Sequence, residues 1–308
     1  MQPGRKCWLV LGGSGFLGAH VVRAAAAAGA EVVRASRRPR DPGGSGAARA
    51  EPCDLEEAGA VEQLLERLRP EVVVNCAALS RGGDCEREPL RARRLNEEAP
   101  AELAVACAGH GVRLVHLSTD LVFDGEPPRP AGYREEDEAH PLSVYGATKL
   151  AGESAVLEAF PGALVARLPL LFGPSGGRGL GASDSLLAAV ARGDTATLFV
   201  DELRTPLDAR EAAAALVELA AGEASGRLHL AGPERLSRHA LGELVLRAAG
   251  LDPAVTGRLV RPTSQRDLEL TPPRPRDVSL DAGRARELLG APLSPPWRAL
   301  GLSGPGAG

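Results

Sequence analysis

The apolar positions of this 308-residue chain follow two rhythms in alternation. Short β-branched runs fit strands, and longer Ala/Leu/Arg stretches with apolar residues every three or four positions fit helices. Strands are expected at 7–11, 31–35, 71–75, 112–117 and 163–168, with a further short one just before Asp54. Helices are expected between them at 16–28, 55–67, 89–109 and 143–160. Regular strand–helix alternation predicts βαβ units, hence an α/β fold with a doubly wound parallel sheet. Beyond residue 168 the rhythm loosens into a Gly-rich loop at 173–181 and helices at 183–191, 208–221 and 237–249. Pro272, Pro273 and Pro275 then precede a last short helix.

Gly12-Gly13-Ser14-Gly15-Phe16-Leu17-Gly18 stands where the first strand hands over to the first helix. Glycines there allow a tight turn and a close approach of backbone to a pyrophosphate. The helix N-terminus meets that anion with free N–H groups and the positive end of its dipole. Gly12, Ser14, Gly15, Phe16, Leu17 and Gly18 are therefore candidate cofactor residues in a Rossmann domain. At the end of the second strand an acidic residue would take a ribose 2′-hydroxyl; this chain has Ser36, Arg37 and Arg38. Guanidinium groups suit a 2′-phosphate, so NADP(H) is expected over NAD(H), although an Arg-rich chain shows arginines on any exposed loop. Asp54 with Leu55 is a candidate adenine edge, and Ala77 and Ala78 are small enough for a cofactor to cross the fourth strand's end. Pro169 completes the set.

Tyr145-Gly146-Ala147-Thr148-Lys149 places a phenol and an ammonium four residues apart, on one face of a helix. A nearby cation favours phenolate and lowers a tyrosine from its free pKa of ~10, which makes it an acid or base. Lys149 would also hold the nicotinamide ribose, and a hydroxyl from Ser118 or Thr119 would bind the substrate oxygen. With two tyrosines and two lysines in the chain, the pair arises by chance roughly once in a hundred. Nearly every other basic residue is arginine, so an ammonium at 149 points to a need for a compact point charge. A solvated helix-surface pair is the plain alternative.

Net charge −4 with scattered basic residues leaves no extended positive face, which argues against nucleic acid. No apolar run approaches the ~20 residues of a membrane span, and no leader pattern precedes the first strand, so a cytoplasmic protein is expected. Five cysteines without a C-x-x-C pair indicate neither disulfides nor a metal site. The expected division is a nucleotide-binding domain over 1–168, a smaller substrate lobe over 169–300 interleaved with the sheet edge, and a disordered tail over 301–308.

The glycine loop, Leu117-Ser118-Thr119-Asp120 and Tyr-Gly-x-x-Lys together resemble the extended short-chain dehydrogenase/reductases. Asp84-Cys85-Glu86, Leu95-Asn96 and Ser118 to Gly125 narrow the resemblance to the dTDP-4-dehydrorhamnose reductase group. Tyr133 to Asp137, Arg204-Thr205-Pro206, Arg274-Pro275-Arg276 and Leu280-Asp281 extend it from Leu9 to about Leu289. The resemblance implies hydride delivery from NADPH to the keto carbon of a 4-keto-6-deoxy sugar nucleotide. Tyr145 would protonate the alkoxide, Thr119 share that oxygen and Asn96 support the active-site helix. It also implies substrate contacts from Asp120, Leu121 and Arg204, the last of which suits a surface salt bridge equally. Leu121 and Leu170 stand where the group commonly carries aromatics that line the sugar pocket. Residues 133–172 also resemble the beta subunit of methionine adenosyltransferase, an NADP-binding regulatory protein. An epimerase or dehydratase is a third reading, opposed by Leu121 where dehydratases place an acid beside Asp120. A homodimer stays open.

Overall fold

The computed structural model describes residues 6–38, 48–127, 129 and 131–304. Strands β1 (Cys7–Leu11), β2 (Glu31–Ser36), β3 (Arg49–Pro52), β4 (Val72–Asn75), β5 (Arg113–Thr119) and β6 (Leu164–Leu168) join a seventh, Gly226–His229, in one sheet. Its order is β3-β2-β1-β4-β5-β6 and then Gly226–His229 at the edge, every pair parallel. Helices α1 (Phe16–Ala27), α2 (Ala60–Leu68), α3 (Gly82–Arg87), α4 (Pro89–Arg93), α5 (Ala99–His110) and α6 (Val144–Ala159) supply the crossovers. A parallel sheet must be covered on both faces. Val73, Leu114 and Val165 look toward α2, α5 and α6, while Val10, Val74 and Val115 share the opposite core with α1 and helix Ala209–Ala221.

Two expectations are revised. The helix expected at 89–109 is broken: a π-helical turn over Arg94–Glu98 separates α4 from α5, and Pro89 starts a new helix where it supplies no N–H. The helix expected from 55 begins at Ala60. Residues beyond 168 return to the sheet through Gly226–His229, and Ala209–Ala221 packs on α1. In the expected tail, the Leu302 N–H donates to the Trp297 carbonyl at 2.8 Å, while 305–308 lie outside the described residues. Among the described residues no helix is long and apolar enough to cross a membrane.

Candidate active site

A cavity of about 500 Å³ runs along the carboxyl edge of the sheet, where loops after parallel strands converge. Gly12, Gly15, Phe16 and Leu17 wall it at the turn into α1. Gly12 holds φ +72°, and a Cβ on it would stand 2.8 Å from Ala77 N, so the turn requires glycine. Gly15 caps α1 without a side-chain hydrogen bond and the first turn carries no acid, leaving the backbone donors and dipole to an anion. Ser36 and Arg37 from β2, Asp54 and Leu55 after β3, and Ala77 and Ala78 after β4 line the same space. Lys149 and Pro169 close the inner end.

Three expected cofactor residues stand outside this wall. Ser14 Oγ shares a hydrogen bond with Ser36 Oγ at 3.1 Å, bracing the turn against β2. Gly18 is packing: a Cβ there would lie 2.2 Å from Gly12 O. Arg38 is exposed beyond the cavity.

Spacing in the chain does not reveal Glu56, which folds into the adenosine end. Arg37 Nη1 donates to Glu56 Oε1 at 3.1 Å, and Arg91 Nη2 donates to the same oxygen at 2.8 Å from a helix 35 residues away. An acid therefore does stand at this end, clamped between two guanidiniums, and Arg91 also donates to Glu88 Oε2 at 3.2 Å. Arg178, in the Gly-rich loop, was also missed. Its Nη1 donates to Ser14 O at 2.7 Å and its Nε to Ser175 O at 2.7 Å, strapping that loop over the glycine turn.

At the inner end, Thr119, Tyr145 and Lys149 line one wall. Ser143 caps α6 by accepting from Gly146 N at 3.1 Å. Burial pushes the Tyr145 phenol up, the Thr119 hydroxyl draws it back, and the Asp120 carboxylate adds to the rise. Desolvation thus leaves the phenol raised, where the lysine four residues on was expected to lower it. Burial likewise lowers Lys149 to about 8, against the opposing Glu153 carboxylate. Its Nζ donates to Leu117 O at 2.6 Å and lies 3.2 Å from His116 Nε2.

Several expected roles change. Ser118 lines the cavity, but its hydroxyl is spent on Glu153 Oε1 at 2.5 Å, inside a buried ion pair whose Arg167 Nη2 meets Glu153 Oε2 at 2.7 Å. Thr119 alone offers its hydroxyl to the site; it accepts from Leu121 N at 3.2 Å and donates to Asp120 Oδ1 at 3.1 Å. Asp120 is 4% exposed and Arg204 3%, so neither is a surface group. Arg204 Nε stands 3.4 Å from Asp120 Oδ2, and its other nitrogens bond Glu202 and the carbonyls of Leu203, Pro275 and Arg276. This arginine is a strut, its Nη donors spent on Glu202 and the backbone and its Nε held toward Asp120. Burial raises Asp120 to about 6 despite that cation. Leu121 packs half-buried against the core. Asn96 is fully buried: Oδ1 accepts from Leu79 N at 2.9 Å and Nδ2 donates to Thr148 Oγ1 at 3.1 Å, tying the π-helical turn to α6.

The other missed residue is Arg238, whose guanidinium is mostly buried between Leu170 and the charges of Glu202, Arg274, Arg204 and Asp120. Burial lowers its pKa.

The family described as RmlD substrate binding domain matches residues 6–301. The chain is 35% identical over 304 residues to the dTDP-4-dehydrorhamnose reductase of Streptomyces griseus, covering 97% of this chain and 89% of that one. It is 44% identical over 123 residues to the methionine adenosyltransferase 2 subunit beta of Pongo abelii, covering 40% and 36%. A crystal structure of a hypothetical dTDP-4-dehydrorhamnose reductase from Sulfolobus tokodaii superposes with a TM-score of 0.77 at 30% identity, covering 92% and 95%.

Proposed function

Because the chain belongs to the RmlD substrate binding domain family, we propose that it is an NADPH-dependent reductase of the keto group of a 4-keto-6-deoxy sugar nucleotide. One observation carries the reading. The glycine turn, the Arg37–Glu56–Arg91 cluster and the Thr119–Tyr145–Lys149 wall open onto a single cavity, at two ends of one groove.

The lining fits a dinucleotide phosphate. The uncapped N-terminus of α1 and the Gly12–Gly15 backbone would hold the pyrophosphate, Ser36, Arg37 and Arg91 the 2′-phosphate, and Lys149 the nicotinamide ribose. When bound, the cofactor supplies the hydride. Tyr145 supplies the proton: a phenol held high by burial stays protonated near neutrality, so it is a donor in the resting site. Thr119 orients the substrate oxygen beside it, the hydroxyl's own position being set by the Leu121 N–H and Asp120. Protonated Lys149 steadies the phenolate left behind. Arg238 gives the sugar-nucleotide side a cation, since Arg204 and Arg274 are both engaged with Glu202. Asp120, held by Arg204 and Thr119, is poorly placed as the acid of a dehydratase.

The test is purified protein with NADPH and a 4-keto-6-deoxy sugar nucleotide. Loss of nicotinamide absorbance with formation of the reduced sugar supports the proposal; cofactor binding without turnover sinks it. The local 44% identity favours one second reading, a cofactor-binding regulatory subunit. Binding without turnover, with co-purification of a synthetase, would support that instead.

A further inference from the structure

Asn75 ends β4 and His116 lies beside it on β5, directly paired in register, both on the face covered by α6. Asn75 is 1% exposed, His116 0% and Lys149 2%. The backbone N–H of Ala77 donates to Asn75 Oδ1 at 3.1 Å, which fixes the amide, because the reverse orientation would set NH₂ against N–H. The amide NH₂ then faces His116 Nδ1 at 3.1 Å, and that ring nitrogen must accept. Burial pushes His116 well below its ordinary value, so the ring is neutral. A neutral imidazole whose Nδ1 accepts carries its single proton on Nε2. Nε2 is 3.2 Å from Lys149 Nζ. An ammonium has hydrogens and no lone pair to offer, so N–H would oppose N–H; a free amine accepts that proton and still donates to Leu117 O.

We propose that His116, its tautomer set by Asn75, is a positioning residue that aims an N–H at Lys149 and disfavours the ammonium form of that side chain. The remaining titratable groups around Lys149 are Glu153 and Tyr145 on α6 and the Cys76 thiol after β4. Glu153 is committed to Arg167, Ser118 and Arg227, and burial pushes Cys76 up to about 12, so neither supplies a free anion against Nζ. Lys149 therefore gains its charge as the pH falls, or as an anion arrives beside it. The consequence for reduction rests on the proposed function; the state of the resting lysine does not.

The chain offers a direct test, because Lys6 and Lys149 are its only lysines and the Lys6 side chain is 69% exposed. The full-length protein, without dinucleotide, is labelled with ¹³C-lysine and ¹⁵N-histidine and titrated by NMR. Lys149 should titrate near about 8, with the His116 resonances reporting a proton on Nε2. His116→Gln places a carbonyl that accepts from the ammonium, and Asn75→Asp moves the ring proton to Nδ1. Either change should raise the Lys149 midpoint by roughly one unit. The proposal is overturned if the Lys149 midpoint is not below the ordinary lysine value of ~10.4, if the wild-type ring carries its proton on Nδ1, or if a folded variant leaves the Lys149 midpoint unmoved. Should neither variant fold, the two wild-type measurements decide alone. A protein that passes this titration and reduces no sugar nucleotide loses the proposed function and keeps the lysine device.

Discussion

Gly152 lies under the backbone carbonyl of Asn96, where a Cβ would stand 2.0 Å from the oxygen. The same helix carries Gly146 against Leu121 O, with a Cβ distance of 2.3 Å. Two absent side chains thus set how closely α6 approaches the π-helical turn and the loop after β5, and so where Tyr145 and Lys149 sit relative to Thr119. Gly152→Ala should force α6 outward, with a loss of about 1–3 kcal/mol and a fall in kcat. Thermal denaturation and steady-state rates check this; an unchanged melting temperature would refute it.

Tyr145→Phe should lower kcat by about 10²–10⁴-fold while NADPH still binds, since it removes a proton donor and leaves the cofactor walls intact. Fluorescence titration of NADPH beside a turnover assay separates the two effects.

Reduction should depend on pH through Lys149, which burial lowers to about 8. The useful form is the ammonium, so kcat should hold below that value and fall as the pH rises through it. A rate that climbs across the same range would contradict the assignment.

Arg91→Ala should weaken NADPH binding about tenfold or more and leave NADH binding little changed, because one charge-assisted contact to the 2′-phosphate is lost. Dissociation constants for both cofactors decide it, and an equal loss for NADH would remove Arg91 from the 2′-phosphate.

Glu153→Ala strands the Arg167 guanidinium, 2% exposed, without its carboxylate. The expected loss is about 3–5 kcal/mol in urea unfolding. Burial alone would raise the Glu153 pKa, but hydrogen bonds and charge from Arg167 bring it below the usual value. Its stabilising contribution is therefore present above the unfolded value near ~4.3 and lost as the pH falls through the folded one. The acid arm of the stability curve should shrink in Glu153→Gln.

The glycine turn, β1 to β6 and the Tyr145–Lys149 pair were legible because each rests on neighbours within a few residues: strand periodicity, turn chemistry, one helical turn of spacing. The seventh strand was not, since Gly226–His229 is four residues with no distinctive alternation and exists only by pairing with β6. Ser118 and Thr119 show the limit sharply. Adjacent hydroxyls on one strand point to opposite faces, and only the position of the Glu153–Arg167 pair decides which of them is taken into the core.

The linear order of residues determined the fold class, the cofactor turn and the helix face that carries the phenol and the amine, because these follow from local backbone preferences and periodic burial. Tertiary structure decided which charges meet: Arg204 with Asp120, Glu56 between Arg37 and Arg91, His116 against Lys149. Electrostatic and hydrogen-bond partners are chosen by distance and desolvation in space, and residues 33 or 84 positions apart carry no mark of it along the chain.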